Sequence, residues 1–505
     1  MESIYARRWW ALGAVAVSLL VVGLDLTVLN VALPTLATDL EASTSQLQWF
    51  ANAYTLVLAA MLLPAGLIGD RLGQKYVLLG ALLLFGVASI ACAYAGSPDL
   101  LIAARVLLGI GAAFLIPMSM SLVTAMFSPA ERPRALTIWV MATSLGIPLG
   151  PVLGGWLLDH FWWGSVFLIN VPLVIVGAIA VMAWVPRLPG TPGGRIDVAG
   201  IVLSAAGLVA LTYGFIRIGD HGWTDGGSLA LIAAGIGLLA AFGWWQGRTS
   251  SPLADLTLLR NRAFGWGAVL ATLASFGLMG LLFVLPQLFQ AVQGADAFHT
   301  GLRLLPIIGG MLVGAKAAER VAQRAGTRVT VAIGYVLMAG GLALGATSGV
   351  GDSYGWTATW MSVVGLSIGF TLPPVMGAAM DALPAGGTGS GSAMIQSLRQ
   401  VGGTIGVAIL GTVLNTAYRD RLDVHGLPPQ VAEVARGSAS AGVSAGSPEV
   451  ADSARHAFVH GMDSALLTSA GVAVLALVLT LVFLPDRRTG TPPEAIEPER
   501  QTIGV

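Results

Sequence analysis

Two residues of this chain carry charge where charge is expensive. Asp25 stands in VGLDLTVLNVALP, residues 22–34, within a run that is otherwise largely apolar from Trp9 to Leu36. Arg105 stands in a second apolar run, LIAARVLLGIGAA, residues 101–113. Read as a helix rising about 1.5 Å per residue, the first run places Asp25 roughly two-thirds of the way across a membrane. Arg105, five or so residues into its own run from the opposite side, reaches a similar depth. An ionised carboxylate so placed costs several kcal/mol unless it is paired or faces a wet cavity. The chemistry open to it is proton carriage, with the group protonated in one state and ionised in another, and a nearby guanidinium aiding release. The plainer readings are a carboxylate satisfied by local hydrogen bonds that never titrates, and an arginine that snorkels outward and only packs.

Composition fixes the kind of element that must hold them. Of 505 residues, 55% are hydrophobic and 10% charged, with a mean hydropathy of +0.79. A soluble domain is about a quarter charged. Crossing a bilayer takes about 20 mostly apolar residues, and such runs follow one another along the chain. The fold class is therefore all-α and integral to the membrane. The 66 glycines suit helices that approach closely. Equal numbers of basic and acidic residues, 26 each, argue against nucleic acid as a partner. Cys92, alone, reads as a small buried residue. Arg7 and Arg8 precede a run too long for a signal peptide, so that run is read as the first span.

Hydropathy predicts about fourteen spans, among them 301–319, 329–348 and 463–484. Arg8, Arg71, Lys75, Arg132, Arg134, Arg187, Arg195, Arg248 and Arg260 fall on one side, and Asp39, Glu41, Asp99 and Asp159 on the other. Basic residues mark the cytoplasmic face, so both termini are expected inside. Tryptophans near predicted span ends, such as Trp162–Trp163 and Trp244–Trp245, read as interfacial anchors. The polar stretch 417–461 is expected to be a long outer loop, partly disordered. His456 and His460 within it have i, i+4 spacing, but two histidines without further ligands rarely hold a metal.

The chain also repeats. DRLGQK, residues 70–75, is matched by QRAGTR, residues 323–328, at an offset of 323 − 70 = 253. Gly146, Gly150 and Gly155 are matched by Gly402, Gly406 and Gly411, at an offset of 402 − 146 = 256. Two matches at nearly one offset imply two six-helix halves, 1–190 and 251–488, separated by two additional spans in 191–250. Residues 489–505 are expected to be a disordered cytoplasmic tail.

Five segments carry a resemblance to a known family. GLIGDRLGQK, residues 66–75, resembles the signature loop of the major facilitator superfamily, and LIAARVLLGIGAA its fourth-helix arginine motif. GIPLGPVLGG, residues 146–155, is similar to the fifth-helix motif of its antiporters. LDLTVLNVALP, residues 24–34, and SLRQVGGTIGVAILG, residues 397–411, resemble motifs of the fourteen-helix drug:proton antiporters. Gln74 stands where the signature loop usually has a basic residue, which removes one charge from that gate.

The resemblance implies a role for each motif. Asp25 and Arg105 would form the proton-coupling pair, since the first and fourth helices line the family's cavity. Gly66, Asp70, Arg71, Gly73 and Lys75 would form a gate, with Asp70 facing the N-terminus of the thirteenth span. Gly146, Pro148, Gly150, Pro151, Gly154 and Gly155 would form a smooth, kinked sealing face. Arg399, Gln400, Gly402 and Gly403 belong to the late motif, with Asp381 a candidate ion-pair partner for Arg399. Asn30, Trp49, Tyr54, Phe114, Phe283, Gln287 and Gln290 are candidate cavity residues, suited to bulky, often cationic molecules.

The function expected is proton-coupled export of hydrophobic or cationic drugs by alternating access, without a cofactor, by a monomer in a bacterial cytoplasmic membrane. A dedicated exporter of one endogenous product, such as a self-made antibiotic, a lipid or a siderophore, fits the same residues. An intramembrane enzyme is disfavoured by the lack of HExxH, paired catalytic carboxylates or a Ser-His constellation within the spans, and a channel by the two-half repeat.

Overall fold

The computed structural model describes residues 2–128, 131–186, 197–249, 252–253, 256–380, 382, 388–425, 428–444 and 448–485. Asp381, Arg187, Arg195 and the tail 489–505 lie outside the described residues, as do the side chains of Asp70, Arg71, Arg132, Arg134 and Pro148.

Every described element is a helix. The first half comprises α1 (Glu2–Asp39), α2 (Thr44–Leu72), α3 (Gln74–Ala93), α4 (Pro98–Met126), α5 (Arg132–His160), α6 (Ser165–Leu168) and α7 (Asn170–Trp184). The additional pair is α8 (Val198–His221) and α9 (Gly226–Gln246). The second half comprises α10 (Thr257–Arg260), α11 (Arg262–Gln287) with a π-turn at Leu288–Val292, α12 (Ala297–Arg303), α13 (Leu305–Gly345), α14 (Tyr354–Met380), α15 (Thr388–Arg421), α16 (Pro429–Gly437), α17 (Ala439–Val443) and α18 (Pro448–Phe483). Among the described residues, eleven stretches are long and apolar enough to cross a membrane, and one of them, Ala297–Gly345, contains two of the expected spans.

Local chemistry sets many of the helix starts. Ser43 and Gln46 form a reciprocal capping box before α2, and Ser97 caps α4 with Pro98 in its first turn. Asp197, Asp225 and Asn261 cap α8, α9 and α11. The repeat is visible in the backbone. Gly73 turns the chain between α2 and α3 at φ 91°, and Gly326, in the matching hexapeptide, breaks α13 at φ 85°. Both hairpins need the left-handed region that only glycine enters freely.

The described residues of 417–461 are largely helical: α15 runs on to Arg421, α16 and α17 follow, and α18 begins at Pro448. Tyr418 holds this cap together, its hydroxyl donating to the Ala435 carbonyl at 2.8 Å. Thr44 Oγ1 of the first half donates to Gly437 O at 2.9 Å. His456 and His460 lie exposed on α18.

The additional pair lies along the seam between halves. Its α8 is hydrogen-bonded to α15: Thr412 Oγ1 donates to Phe215 O at 2.8 Å, Asn415 Nδ2 to Gly219 O at 3.1 Å and Arg419 Nη1 to Asp220 O at 3.3 Å. Against α2 it makes mostly apolar contact, through Leu208 with Leu56 and Ala59 and through Tyr213 with Trp49. Near the helix ends Ser45 Oγ donates to Asp220 Oδ2 at 2.7 Å.

Candidate functional site

Five helices of the first half converge on Asp25. The carboxylate is fully buried and Arg105 is 2% exposed. Arg105 Nη1 donates to Asp25 Oδ2 at 2.7 Å. Its Nε donates to the Phe50 carbonyl of α2 at 3.0 Å, and its guanidinium lies 4.5 Å from the centre of the Tyr54 ring. The other carboxylate oxygen accepts from Asn170 Nδ2 at 3.3 Å, and the same amide nitrogen donates to Ser89 Oγ at 3.3 Å. Burying two charges costs several kcal/mol each, and this is recovered only when geometry is good and the remaining polar atoms find partners. A charged hydrogen bond, a carbonyl, an aromatic face and an amide meet that requirement here.

Glycines make this convergence possible. A Cβ on Gly146 would lie 2.6 Å from Gly23 Cα and Leu24 N, and one on Gly150 would lie 2.9 Å from Leu24 O. One on Gly154 would lie 2.6 Å from Val28 Cγ2. Thus α5 is pressed against the turn of α1 that carries Asp25. Gly155 faces the other way, where a Cβ would sit 2.6 Å from Phe298 Cα of α12.

Arg105 also borders a cleft between the halves, whose walls include Asn30, Tyr54 and Thr55 on one side and Met279 and Gly403 on the other. In this state it has room for little more than a water molecule. Asp25 lies behind Arg105, away from the cleft lining. Of the candidate cavity residues, Asn30 and Tyr54 border the cleft. Trp49 instead meets the Tyr213 ring at a tilt, Phe283 is fully buried, Phe114 packs into the core, and Gln287 Nε2 donates to the Phe283 carbonyl of its own helix. Gln290 Nε2 crosses to the first half and donates to Val31 O at 2.8 Å.

The remaining motif residues have separate positions. Lys75 Nζ donates to the carbonyls of Met182 and Val185 at 2.9 and 2.6 Å, tying α3 to the end of α7 within one half. Gly66 is open to its surroundings. Arg399 meets neutral groups: Ser275 Oγ at 3.3 Å, Gln396 Oε1 at 3.2 Å and Met376 Sδ at 3.7 Å. Gln400 is buried, while Gly402 and Gly403 press on α11 at Thr272 and Met279.

Several cross-half contacts were not read from the sequence. Asp159, at the arginine-poor end of α5, accepts from the backbone N–H groups of Ala297 and Phe298 at 3.2 and 3.0 Å, so it caps α12 of the other half. Along α2 and α15, Thr55 and Thr404 hydroxyls meet at 2.8 Å, and Gln48 Nε2 donates to Ala408 O at 3.2 Å. Ser397 Oγ donates to Ala59 O at 2.7 Å. Asn170 had a usable signal, as an amide in the apolar run SVFLINVPLVIVGAI. Among the described residues, no group of three or more His, Cys, Asp or Glu side chains is placed to hold a metal ion.

Known proteins resemble this chain over nearly its whole length. The chain is 32% identical to the tetracenomycin C resistance and export protein of Streptomyces glaucescens, over 99% of this chain and 96% of that protein. It is 33% identical to the methyl viologen resistance protein SmvA of Salmonella typhimurium, over 94% and 98%. It is 32% identical to the multidrug efflux pump LfrA of Mycolicibacterium smegmatis, over 94% and 96%. Its fold matches the crystal structure of a bacterial homolog of the human lysosomal transporter Spinster, inward-facing and unoccupied, with a TM-score of 0.66 at 17% identity over 96% of this chain and 99% of that one. The family model of the Major Facilitator Superfamily matches residues 15–407. With its helical halves, its paired glycine turns and relatives that are drug and antibiotic exporters, this chain is a multi-pass membrane transporter belonging to the major facilitator superfamily.

Proposed function

We propose that the chain is a proton-coupled antiporter that exports hydrophobic or cationic aromatic compounds by alternating access, with Asp25 as the proton site and Arg105 as its counter-charge. The observation that carries this reading is a fully buried carboxylate, paired with one guanidinium, set behind a cleft between the two halves. Such a pair has two stable uses. With Asp25 ionised it is neutral as a unit; with Asp25 protonated, Arg105 is left as an unbalanced cation beside the substrate path. A binding site whose charge changes by one unit can favour substrate in one state and repel a cation in the other. The arginine-poor end, where Asp159 caps α12 and Gln290 reaches Val31, would be the extracellular gate, closed in this state. The setting is a bacterial cytoplasmic membrane with both termini inside, and the working unit is a monomer without a cofactor. Asp70 and Arg71 retain the gating role that their motif implies.

A second reading, export of one endogenous product, is favoured by relatives such as the tetracenomycin C export protein and the probable actinorhodin transporter of Streptomyces coelicolor. One experiment addresses both. Wild type and Asp25→Asn are reconstituted in liposomes under an imposed pH gradient, and ethidium, methyl viologen and tetracenomycin C are followed together with internal pH. Proton-linked uphill movement of the dyes, lost in the variant while dye binding persists, supports the first reading. Movement of tetracenomycin C alone supports the second. Normal coupling in Asp25→Asn would remove Asp25 from the mechanism.

A further inference from the structure

Asn170 is fully buried at the first position of α7, where Ile169 separates it from the short α6. Its Nδ2 uses both hydrogens, one on Asp25 Oδ1 and one on Ser89 Oγ. Its own Oδ1 is buried and has no hydrogen-bond partner among the described residues. In a membrane interior an unsatisfied amide oxygen is costly, and water is not at hand to relieve it. The arrangement makes sense if the amide serves two states of the carboxylate, because an ionised carboxylate only accepts hydrogen bonds while a protonated one also donates.

We infer that Asn170 is the positioning residue for the transported proton, directing it to Asp25 Oδ1 and turning its amide to accept from the new O–H. This rests on the proton site proposed above. The alternative oxygen, Oδ2, faces the guanidinium. Arg105 is anchored there by the Phe50 carbonyl and the Tyr54 ring, so a proton on Oδ2 would meet an N–H that cannot readily withdraw. On the Oδ1 side the partner can exchange donor for acceptor by turning about one side-chain bond, with no helix moving. Ser89 follows, its hydroxyl donating to the turned amide oxygen where it now accepts from the nitrogen. The proton comes from water in the cleft on loading and returns to water on release. The polar and charged groups facing Asp25 are Arg105 from α4, Asn170 from α7, Tyr54 from α2, and Ser89 and Cys92 from α3. Of these, Asn170 alone both touches the carboxylate and can reverse its hydrogen-bonding sense.

Infrared difference spectra between acid and alkaline buffer test this on the full chain in lipid, with isotope-labelled asparagine. The expected result is a carboxylic-acid carbonyl band, lost in Asp25→Asn, together with an asparagine amide band that shifts at the same pH and is lost in Asn170→Leu. The acid band without an Asn170-dependent change would overturn the inference and leave Asp25 as the proton site. No acid band would remove the proton site and the inference with it. A transport readout separates positioning from packing. In Asn170→Leu both states of the carboxyl lose a hydrogen bond, and the one lost from the ionised form is the stronger, so the pH midpoint of dye efflux is expected to move to higher pH by about half a unit to one unit. A uniform loss of rate with an unmoved midpoint would assign Asn170 to packing alone. Should Asn170→Leu fail to fold, Asn170→Gln keeps the amide chemistry and removes the labelled asparagine from this position among the five in the chain, so the band can still be assigned.

Discussion

Replacing Gly155 by alanine tests whether α5 closes the arginine-poor end. The added methyl would lie 2.6 Å from Phe298 Cα and 2.7 Å from the Ala297 carbonyl carbon, both backbone atoms of α12 in the other half. Carbon atoms pack best at about 3.5–4.0 Å, so the halves must separate locally by roughly 1 Å. Overpacking of this kind costs about 1–3 kcal/mol. The cost falls on the closed arrangement, because the contact is absent once the halves part there. The ratio of open to closed carriers at that end should therefore rise about 5- to 150-fold. The assay uses Asn30→Cys in a Cys92→Ser background, since Asn30 lines the cleft and is only 8% exposed. Labelling by an impermeant maleimide added outside intact cells is expected to accelerate in the Gly155→Ala protein. Gly146→Ala is the control. Its methyl would press on Gly23 and Leu24 of α1, within the same half, so it should disturb the Asp25 turn without opening that end. Unchanged labelling in Gly155→Ala, or equal acceleration in Gly146→Ala, would refute the assignment.

Three further outcomes are expected. Arg105→Ala leaves a buried carboxylate without its counter-charge and should cost about 3–5 kcal/mol, seen as a lower Tm in detergent, with much of the loss recovered by adding Asp25→Asn; no recovery in the double variant would argue that Arg105 stabilises through packing. At the turn between α8 and α9, the Ser228 hydroxyl first, and then Arg217, hold the Asp225 carboxyl below its usual range. A carboxylate held low when folded stabilises above its unfolded value near 3.9 and loses that contribution as pH falls below it. The Tm gap between wild type and Asp225→Ala should thus be full at pH 7 and narrow below about pH 4, and a gap constant with pH would contradict the cap's charge. For the additional pair, a disulfide from Gly219→Cys with Thr412→Cys, where a Cβ on residue 219 lies 3.6 Å from Thr412 Cα, should leave transport intact. A short bismaleimide bridge between Trp49→Cys and Tyr213→Cys should stop it, because three hydrogen bonds tie α8 to α15 and one, at the helix ends, ties it to α2; the opposite pattern would place the pair with the first half.

Much of this architecture was legible because membrane helices announce themselves by length and apolarity. The matched hexapeptides gave the two halves, and their shared glycine proved to be a shared left-handed turn at Gly73 and Gly326. The depth argument brought Asp25 and Arg105 to one level, and the structure joins them at 2.7 Å. What escaped reading depended on rotation about helix axes. Hydropathy gives depth but not direction, so Trp49 and Phe283 have the right depth and face elsewhere. Asn170 escaped because attention went to charge, although a neutral amide in hydrocarbon needs partners for the same reason a carboxylate does. The short helices within 417–461 escaped reading because a polar composition rich in Ser, Gly and Ala is shared by short polar helices and irregular loops. Among the described residues Arg399 meets Ser275 and Gln396, while Asp381, the partner suggested by sequence proximity, lies outside them.

The pairing of Asp25 with Arg105 has an electrical consequence. One carboxylate and one guanidinium held 2.7 Å apart sum to zero, so the empty pair carries no net charge through the membrane field as the halves rock. If Asp25 takes up the proton, that sum becomes one positive charge. The membrane potential then acts on the proton-loaded swing, by about 2.3 kcal/mol per 100 mV for a charge crossing the full field, and has no purchase on the unloaded pair. With an uncharged substrate, voltage would therefore enter the cycle at a single step, the inward return of the loaded carrier, and a strong potential without a pH gradient would still turn it; a cationic substrate would carry its own charge outward against the same field.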